Sequence, residues 1–279
     1  MDYKKIVRDE REKAAALRAN HKELNIKAIT YKVELFAERS DSQNSDENVE
    51  SETTSSTVRM PFFLKSFVAE KQRVGNMPNL FYVPQIMTVT DEIQLLESIA
   101  FAGTISGDVW MQLRKRRLQS WGKNTAGDSC RDSPLPLWLQ EISDELVRSC
   151  VFRESDAPNH VLINEYKSDE GILHHTDGPI YHNLVAILSL GSTCLMTFRH
   201  KLESHDIGHH RSEDIFSVVL QPRSLLIFSD YIYSMFMHGI ADGVTSEIVG
   251  CTAPCLNMHL AGVEEGHVVS KGKPSDKFL

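Results

Sequence analysis

From Asn159 onward the chain breaks into short apolar runs rich in β-branched and aromatic residues, and this segmentation constrains the fold more than any other feature. The runs are His160 to Tyr166, Leu184 to Leu190, Cys194 to Phe198, Ile215 to Leu220, Ser224 to Phe228 and Tyr231 to Phe236. Each has the length of a strand and is too short for an independent helix. Gly, Pro or polar clusters separate them, which favours a sandwich or jelly roll over a parallel α/β sheet.

Two helices are expected ahead of this region. Thr90 and Asp91 can cap one carrying Ile93, Leu95, Leu96 and Ile99, and Pro136 suits the first turn of another carrying Leu139, Ile142, Leu146 and Val147. The expected fold class is mainly β with supporting helices. Residues 1 to about 37 carry a weak helical stripe (Ile6, Ala14, Ala15, Leu17, Leu24), which predicts a solvated helix. Arg39 to Thr57 is an acidic, Ser-rich run with almost nothing apolar, which predicts disorder. The organisation read from this is an N-terminal extension over 1–75, a domain over 76–264 whose folded part begins near Pro78 to Phe81, and a tail over 265–279.

The 279 residues are 41% apolar, enough for a substantial core, and the net charge of -8 argues against nucleic-acid binding by bulk electrostatics. Five scattered cysteines and a polar N-terminus point to a reducing compartment, the cytoplasm or nucleus. No run of about eighteen apolar residues is present, so no membrane span is expected.

The sharpest local motif is His175-Thr176-Asp177 with a distant His238. In an extended segment residues i and i+2 share a side, so His175 and Asp177 can offer an imidazole and a carboxylate together. His238 would add a second imidazole, and two His plus one carboxylate leave open positions on iron. Alone, a His-x-Asp arises by chance about once in a chain of this composition, and a surface loop remains the alternative.

The surroundings extend the motif. Asn164-Glu165-Tyr166, eight residues and then His175-Thr176-Asp177, followed by Asp177-Gly178-Pro179, Ser189-Leu190-Gly191, Pro222-Arg223-Ser224-Leu225-Leu226 and His238-Gly239-Ile240, resemble the AlkB-like 2-oxoglutarate and iron(II) dioxygenases. Within them the branch of the sixth AlkB homologue is the nearest, and Arg117-Leu118-Gln119-Ser120-Trp121-Gly122 is similar to its lid segment. The resemblance covers roughly residues 78 to 262. It implies a double-stranded β-helix (jelly roll) holding Fe(II) through His175, Asp177 and His238, with His174 as a neighbour. It also implies 2-oxoglutarate as cosubstrate near Asn164, Tyr166 and Asn257, and oxidative demethylation of an alkylated nucleic acid or protein.

The resemblance fails at the end of the roll. The family closes with a strand bearing two arginines that bind the cosubstrate carboxylates, but here Cys255-Leu256-Asn257-Met258-His259-Leu260-Ala261 puts Cys255 and Ala261 in those places. As a strand, it would turn Cys255, Asn257, His259 and Ala261 to one face with no permanent positive charge. A metal-binding pseudoenzyme serving as a nucleic-acid or protein-binding module is therefore the rival reading. Cys251, Cys255 and His259 could alternatively form part of a zinc site, although three ligands are too few.

Two further segments bear on partners. Leu113 to Trp121 sets Arg114, Lys115, Arg116 and Arg117 beside an indole, a combination able to track phosphate and stack on a base, with Arg116, Arg117 and Trp121 as the lid candidates. The other reading is a solvated hairpin whose Trp residues pack on the helices. The His-rich run from Arg199 to Asp214 reads as an exposed inter-strand loop.

Overall fold

The computed structural model describes residues 29–38, 69–105, 109–122, 134–201 and 214–272. In chain order the elements are β1 (Thr30–Glu38), β2 (Leu80–Val83), α1 (Val89–Ile105), β3 (Met111–Leu113), β4 (Arg116–Gly122) and α2 (Leu137–Arg148). There follow β5 (His160–Tyr166), β6 (Ile172–His175), β7 (Tyr181–Leu190), β8 (Cys194–His200), β9 (Phe216–Leu220), β10 (Ser224–Ser229), α3 (Asp230–Met235) and β11 (Phe236–Ile240). A hairpin of β12 (Ser246–Ile248) and β13 (Val268–Ser270) flanks a short helix, α4 (Met258–Ala261).

The strands form a large sheet ordered β2-β10-β7-β1-β5-β4-β3 and a small one ordered β6-β11-β8-β9. From β5 to β11 the chain winds between the two as a jelly roll. Side chains between the sheets, including Phe198, Phe216, Val218, Ile187, Leu226 and Phe228, form one core. The outer face of the large sheet, with Val33, Leu35, Val161, Ile163 and Leu188, packs on Leu95, Ile99, Leu139 and Leu146 of the helices. Both helices start near the expected positions: Thr88 and Asp91 cap α1 reciprocally, with Asp91 N donating to Thr88 Oγ1 at 3.2 Å and Thr88 N donating to Asp91 Oδ2 at 2.9 Å. Pro136 is the N-cap of α2.

Three expectations are corrected. Residues 30–38 are not part of a solvated helix, and the fold does not begin near Pro78: β1 lies in the middle of the large sheet, antiparallel to both β5 and β7. Tyr31, Val33, Leu35 and Ala37 face the helices while Lys32, Glu34 and Phe36 face the roll, so the alternation is that of a strand. Its inward positions carry charge, which hid the pattern. The remaining readings before residue 69, the helix over 1–28 and the disordered run after Arg39, lie outside the described residues.

The second correction concerns Tyr231 to Phe236, expected as a strand. Residues 230–235 form the short helix α3 instead, with Ile232 and Tyr233 as its buried residues, and the strand β11 begins only at Phe236. The third concerns the end of the roll. Cys255 makes only an isolated parallel bridge to Ser217, and Met258–Ala261 is helical. This segment lies along β9, the edge of the small sheet. The small sheet sets β11 between β6 and β8; by the same winding an eighth roll strand would return between β5 and β7. That place is filled by β1.

Candidate active site

His175 ends β6 and His238 is its direct partner on β11. Their rings stand 4.5 Å apart, and Asp177, just past the end of β6, completes a group whose ligand atoms all lie within 4.8 Å of one another. Among the described residues this is the one such group of three or more. The close approach of the two strands requires Gly239, where a Cβ would stand 2.9 Å from the Ile172 carbonyl and 3.0 Å from His174 Nδ1.

The hydrogen bonding prepares the imidazoles as ligands. His175 Nδ1 lies 2.9 Å from the Leu173 carbonyl, so that nitrogen carries the proton and Nε2 is left with its lone pair. Asp177 Oδ1 is 3.8 Å from that Nε2 and 3.6 Å from His238 Nε2. His238 is buried against Phe228 and Phe198, and its Nε2 has no hydrogen-bond partner. An orphaned buried imidazole nitrogen aimed at a carboxylate fits a metal ligand. Burial lowers His238 to about 4, so it is neutral at physiological pH. Burial and the facing His238 lower His175, and burial raises Asp177. Two neutral imidazoles and one carboxylate suit a hard to borderline divalent cation such as iron(II).

His174 points away from this group. Its Nε2 is 2.8 Å from Thr197 Oγ1 and 3.2 Å from Asp214 Oδ1, and Asp214 also accepts from Arg199 Nε at 2.5 Å.

The other expected site residues divide. Asn164 is buried facing the roll, its Oδ1 accepting from Arg116 Nε at 2.7 Å and its Nδ2 donating to Glu34 Oε2 at 3.2 Å. Tyr166 faces the same interior with its hydroxyl unpartnered. Asn257 is engaged elsewhere: its side chain accepts from Val219 N at 2.9 Å and donates to Val219 O at 2.8 Å on the edge strand β9. Arg116 therefore enters the site, but Arg117 and Trp121 do not. Arg117 makes two hydrogen bonds to the Glu165 carboxylate, at 2.5 and 2.7 Å, and its guanidinium lies 4.2 Å over the Trp110 ring. Trp121 meets Trp138 edge to face and donates to Gln119 Oε1 at 3.0 Å. Lys115 pairs with Asp242 at 3.6 Å, which leaves Arg114 at the exposed hairpin tip. Cys251 is exposed while Cys255 is buried with its thiol 3.4 Å from Asn257 Oδ1, and among the described residues they join no metal group. Residues 202–213 of the His-rich loop lie outside the described residues.

The sequence reading missed Lys32, Glu34 and Ser189. Lys32 is paired across the large sheet with Asn164 on one side and Ser189 on the other, so all three face the roll. Ser189 Oγ and Tyr166 OH are buried there without a hydrogen-bond partner, and Lys32 Nζ has no oxygen or nitrogen partner, only the Cys194 thiol beside it. Burial and the Asp177 charge push Glu34 up to about 8. The missed signal is the alternation of residues 30–37 itself.

A jelly roll that brings two imidazoles and a carboxylate together has the donor set of the non-haem iron oxygenases. Residues 106–249 match the 2OG-Fe(II) oxygenase superfamily. The probable RNA/DNA demethylase ALKBH6 of Danio rerio is 32% identical over 197 residues, 70% of this chain and 81% of that protein. The tRNA (carboxymethyluridine(34)-5-O)-methyltransferase alkbh8 of Xenopus tropicalis is 29% identical over 190 residues, 66% of this chain and 28% of that protein. Among solved structures, OsALKBH1 aligns at 15% identity with a TM-score of 0.45, over 69% of this chain and 96% of that one. The chain belongs to the 2OG-Fe(II) oxygenase superfamily and is an AlkB-like dioxygenase.

Proposed function

We propose that the chain removes an alkyl group oxidatively from a nucleic acid, with His175, Asp177 and His238 holding the iron. The observation that carries this is the convergence of three ligand atoms within 4.8 Å, with His238 Nε2 buried and otherwise unpartnered. Iron(II) and 2-oxoglutarate, when bound, supply an oxidant from dioxygen while the cosubstrate is converted to succinate and carbon dioxide.

The chain's own residues set up that chemistry. The Leu173 carbonyl fixes the tautomer of His175, and Phe198 and Phe228 exclude water from His238. Arg116, held on Asn164 Oδ1, places a guanidinium where cosubstrate or a substrate phosphate can meet it. Tyr166 offers its free hydroxyl to the cosubstrate. Hydroxylation of an N-methyl carbon yields an N-hydroxymethyl group, which releases formaldehyde and leaves the N-H.

The names of the two vertebrate relatives favour RNA or DNA as the substrate. With a net charge of -8, binding must be local, and the exposed tip at Arg114 is the cation best placed for a phosphate. Four described cysteines are unpaired, as suits the cytoplasm or nucleus, and no helix among the described residues is long and apolar enough to cross a membrane.

The test is to incubate the iron-loaded protein with 2-oxoglutarate, dioxygen and, separately, N-methylated RNA, single-stranded DNA and a methyl-lysine peptide. Formaldehyde and succinate are expected in equal amounts with a nucleic acid. Release only with the peptide would overturn the substrate assignment, and no succinate under any condition would favour a non-catalytic binding module.

A further inference from the structure

The interior of the roll contains a buried amine that the family pattern does not supply and whose side-chain partner is only the weakly accepting Cys194 thiol. Lys32 is fully buried, yet its Nζ finds no oxygen or nitrogen acceptor. Burial lowers its pKa, and the groups that counter this are the Cys194 thiol and the Glu34 carboxyl. Glu34 is already engaged, its Oε2 accepting from Asn164 Nδ2 at 3.2 Å. A buried cation without an anion is expensive unless a ligand provides one.

The neighbours of Lys32 are of one kind. Ser189 is its direct cross-strand partner on β7, and Tyr166 lies diagonal to it on β5, two residues beyond its partner Asn164. Both hydroxyls are buried and unpartnered. Cys194, on the opposite sheet, is the side-chain neighbour of Lys32 and belongs to the same core cluster as Tyr166. One ammonium and two hydroxyls, all lacking oxygen or nitrogen acceptors, make a receptor for a carboxylate. The metal group borders the same interior: His238 packs on Phe198 and Phe228, which share one core cluster with Tyr166.

We infer that Lys32, carried into the roll by the N-terminal strand β1, anchors the distal carboxylate of 2-oxoglutarate, with the hydroxyls of Tyr166 and Ser189 as its other donors. This rests on the iron-oxygenase reading above. It also accounts for the altered C-terminal segment: β1 occupies the place between β5 and β7 where a closing strand would run, and it brings its own cation. Cys255 and Ala261 then sit at no cosubstrate position, since their segment lies along β9.

Calorimetric titration of the full chain loaded with Mn(II), a redox-inert stand-in for iron, tests this. The ligands are 2-oxoglutarate and 2-oxobutyrate, which shares the chelating end and lacks the distal carboxylate. Lys32→Met is expected to weaken 2-oxoglutarate binding about 30-fold or more, while leaving the Mn(II) and 2-oxobutyrate affinities within about twofold. Lys32→Arg should recover most of the loss, and Tyr166→Phe should weaken 2-oxoglutarate several-fold. The melting temperature of metal-free Lys32→Met should be equal to or above that of the wild type, which separates anchoring from a folding role. Unchanged 2-oxoglutarate affinity in Lys32→Met, with Mn(II) bound and His238→Ala unable to bind it, overturns the anchor and leaves the metal site standing. Failure of the wild type to bind Mn(II) overturns both.

Discussion

Replacing Leu35 by Ala tests whether residues 30–38 belong to the folded domain. Leu35 is fully buried on the helix-facing side of β1, opposite Val161 of β5 and Ala186 of β7. Strands on both sides fix the backbone, so the site cannot collapse easily around the missing atoms. Leu→Ala at such positions costs about 2–5 kcal/mol. For a domain of this size each kcal/mol moves the melting temperature by about 2–4 °C, which gives a fall of roughly 4–20 °C. Ile93→Ala, on a half-exposed position of α1, is the control, with a change expected within about 0.5 kcal/mol. Ile163→Ala, on the neighbouring strand and equally buried, should match Leu35→Ala. Thermal and urea unfolding of the metal-free proteins measure all three. If Leu35→Ala melts with the wild type while Ile163→Ala falls, β1 is not in the sheet and the account of both the fold and Lys32 is refuted.

Further outcomes follow from the site. Asp177→Ala and His238→Ala should each reduce iron(II) retention in anaerobic dialysis by more than a hundredfold without lowering the melting temperature; retention near the wild-type level would exclude them as ligands. Arg117→Ala should lower stability by roughly 1–2 kcal/mol, because it strands the buried Glu165 while its own side chain is part-exposed, and should leave RNA affinity unchanged. Weaker RNA binding at full stability would return Arg117 to the lid. Asn257→Ala removes two hydrogen bonds to the Val219 backbone and should cost roughly 2–4 kcal/mol with unchanged 2-oxoglutarate affinity. Burial lowers His160 to about 4 from 6.5, so its folded form disfavours protonation. Its contribution is complete above pH 6.5 and is lost as the pH falls toward 4, on the order of 3 kcal/mol in all. Urea midpoints of the wild type and His160→Asn across that range check this, and parallel curves would refute it.

What the sequence disclosed depended on whether the signal was local. The seven-residue run His160 to Tyr166 became β5 as read, and the spacing of His175 and Asp177 led to the group with His238, because the chain stays extended enough past the end of β6 to bring both to one side. Arg117 and Trp121 were ambiguous for the opposite reason. Side chains that can greet a nucleic acid can equally pack on Glu165 or Trp138, and only the tertiary pairing decides. The same holds for Tyr231 to Met235, where tertiary context overrides strand propensity and a short helix leads into β11.

The N-terminal strand shows why a motif-led reading stops where it does. Motifs record which residues follow one another, whereas a cosubstrate meets whatever side chains share its space. β1 stands more than a hundred residues ahead of its sheet neighbours, and Lys32 pairs with Asn164 and Ser189 only through a register that no local pattern announces. If a roll without arginines at its C-terminal end holds the carboxylate that its family binds, a cation must stand opposite it. In this chain the buried charge nearest that requirement enters from the other end of the polypeptide. An inward-facing Lys in a central strand, with no oxygen or nitrogen acceptor of its own, is stable at neutral pH only if it is neutral or if an anion joins it. The difference between those two states is what 2-oxoglutarate binding to Lys32 and its methionine variant measures.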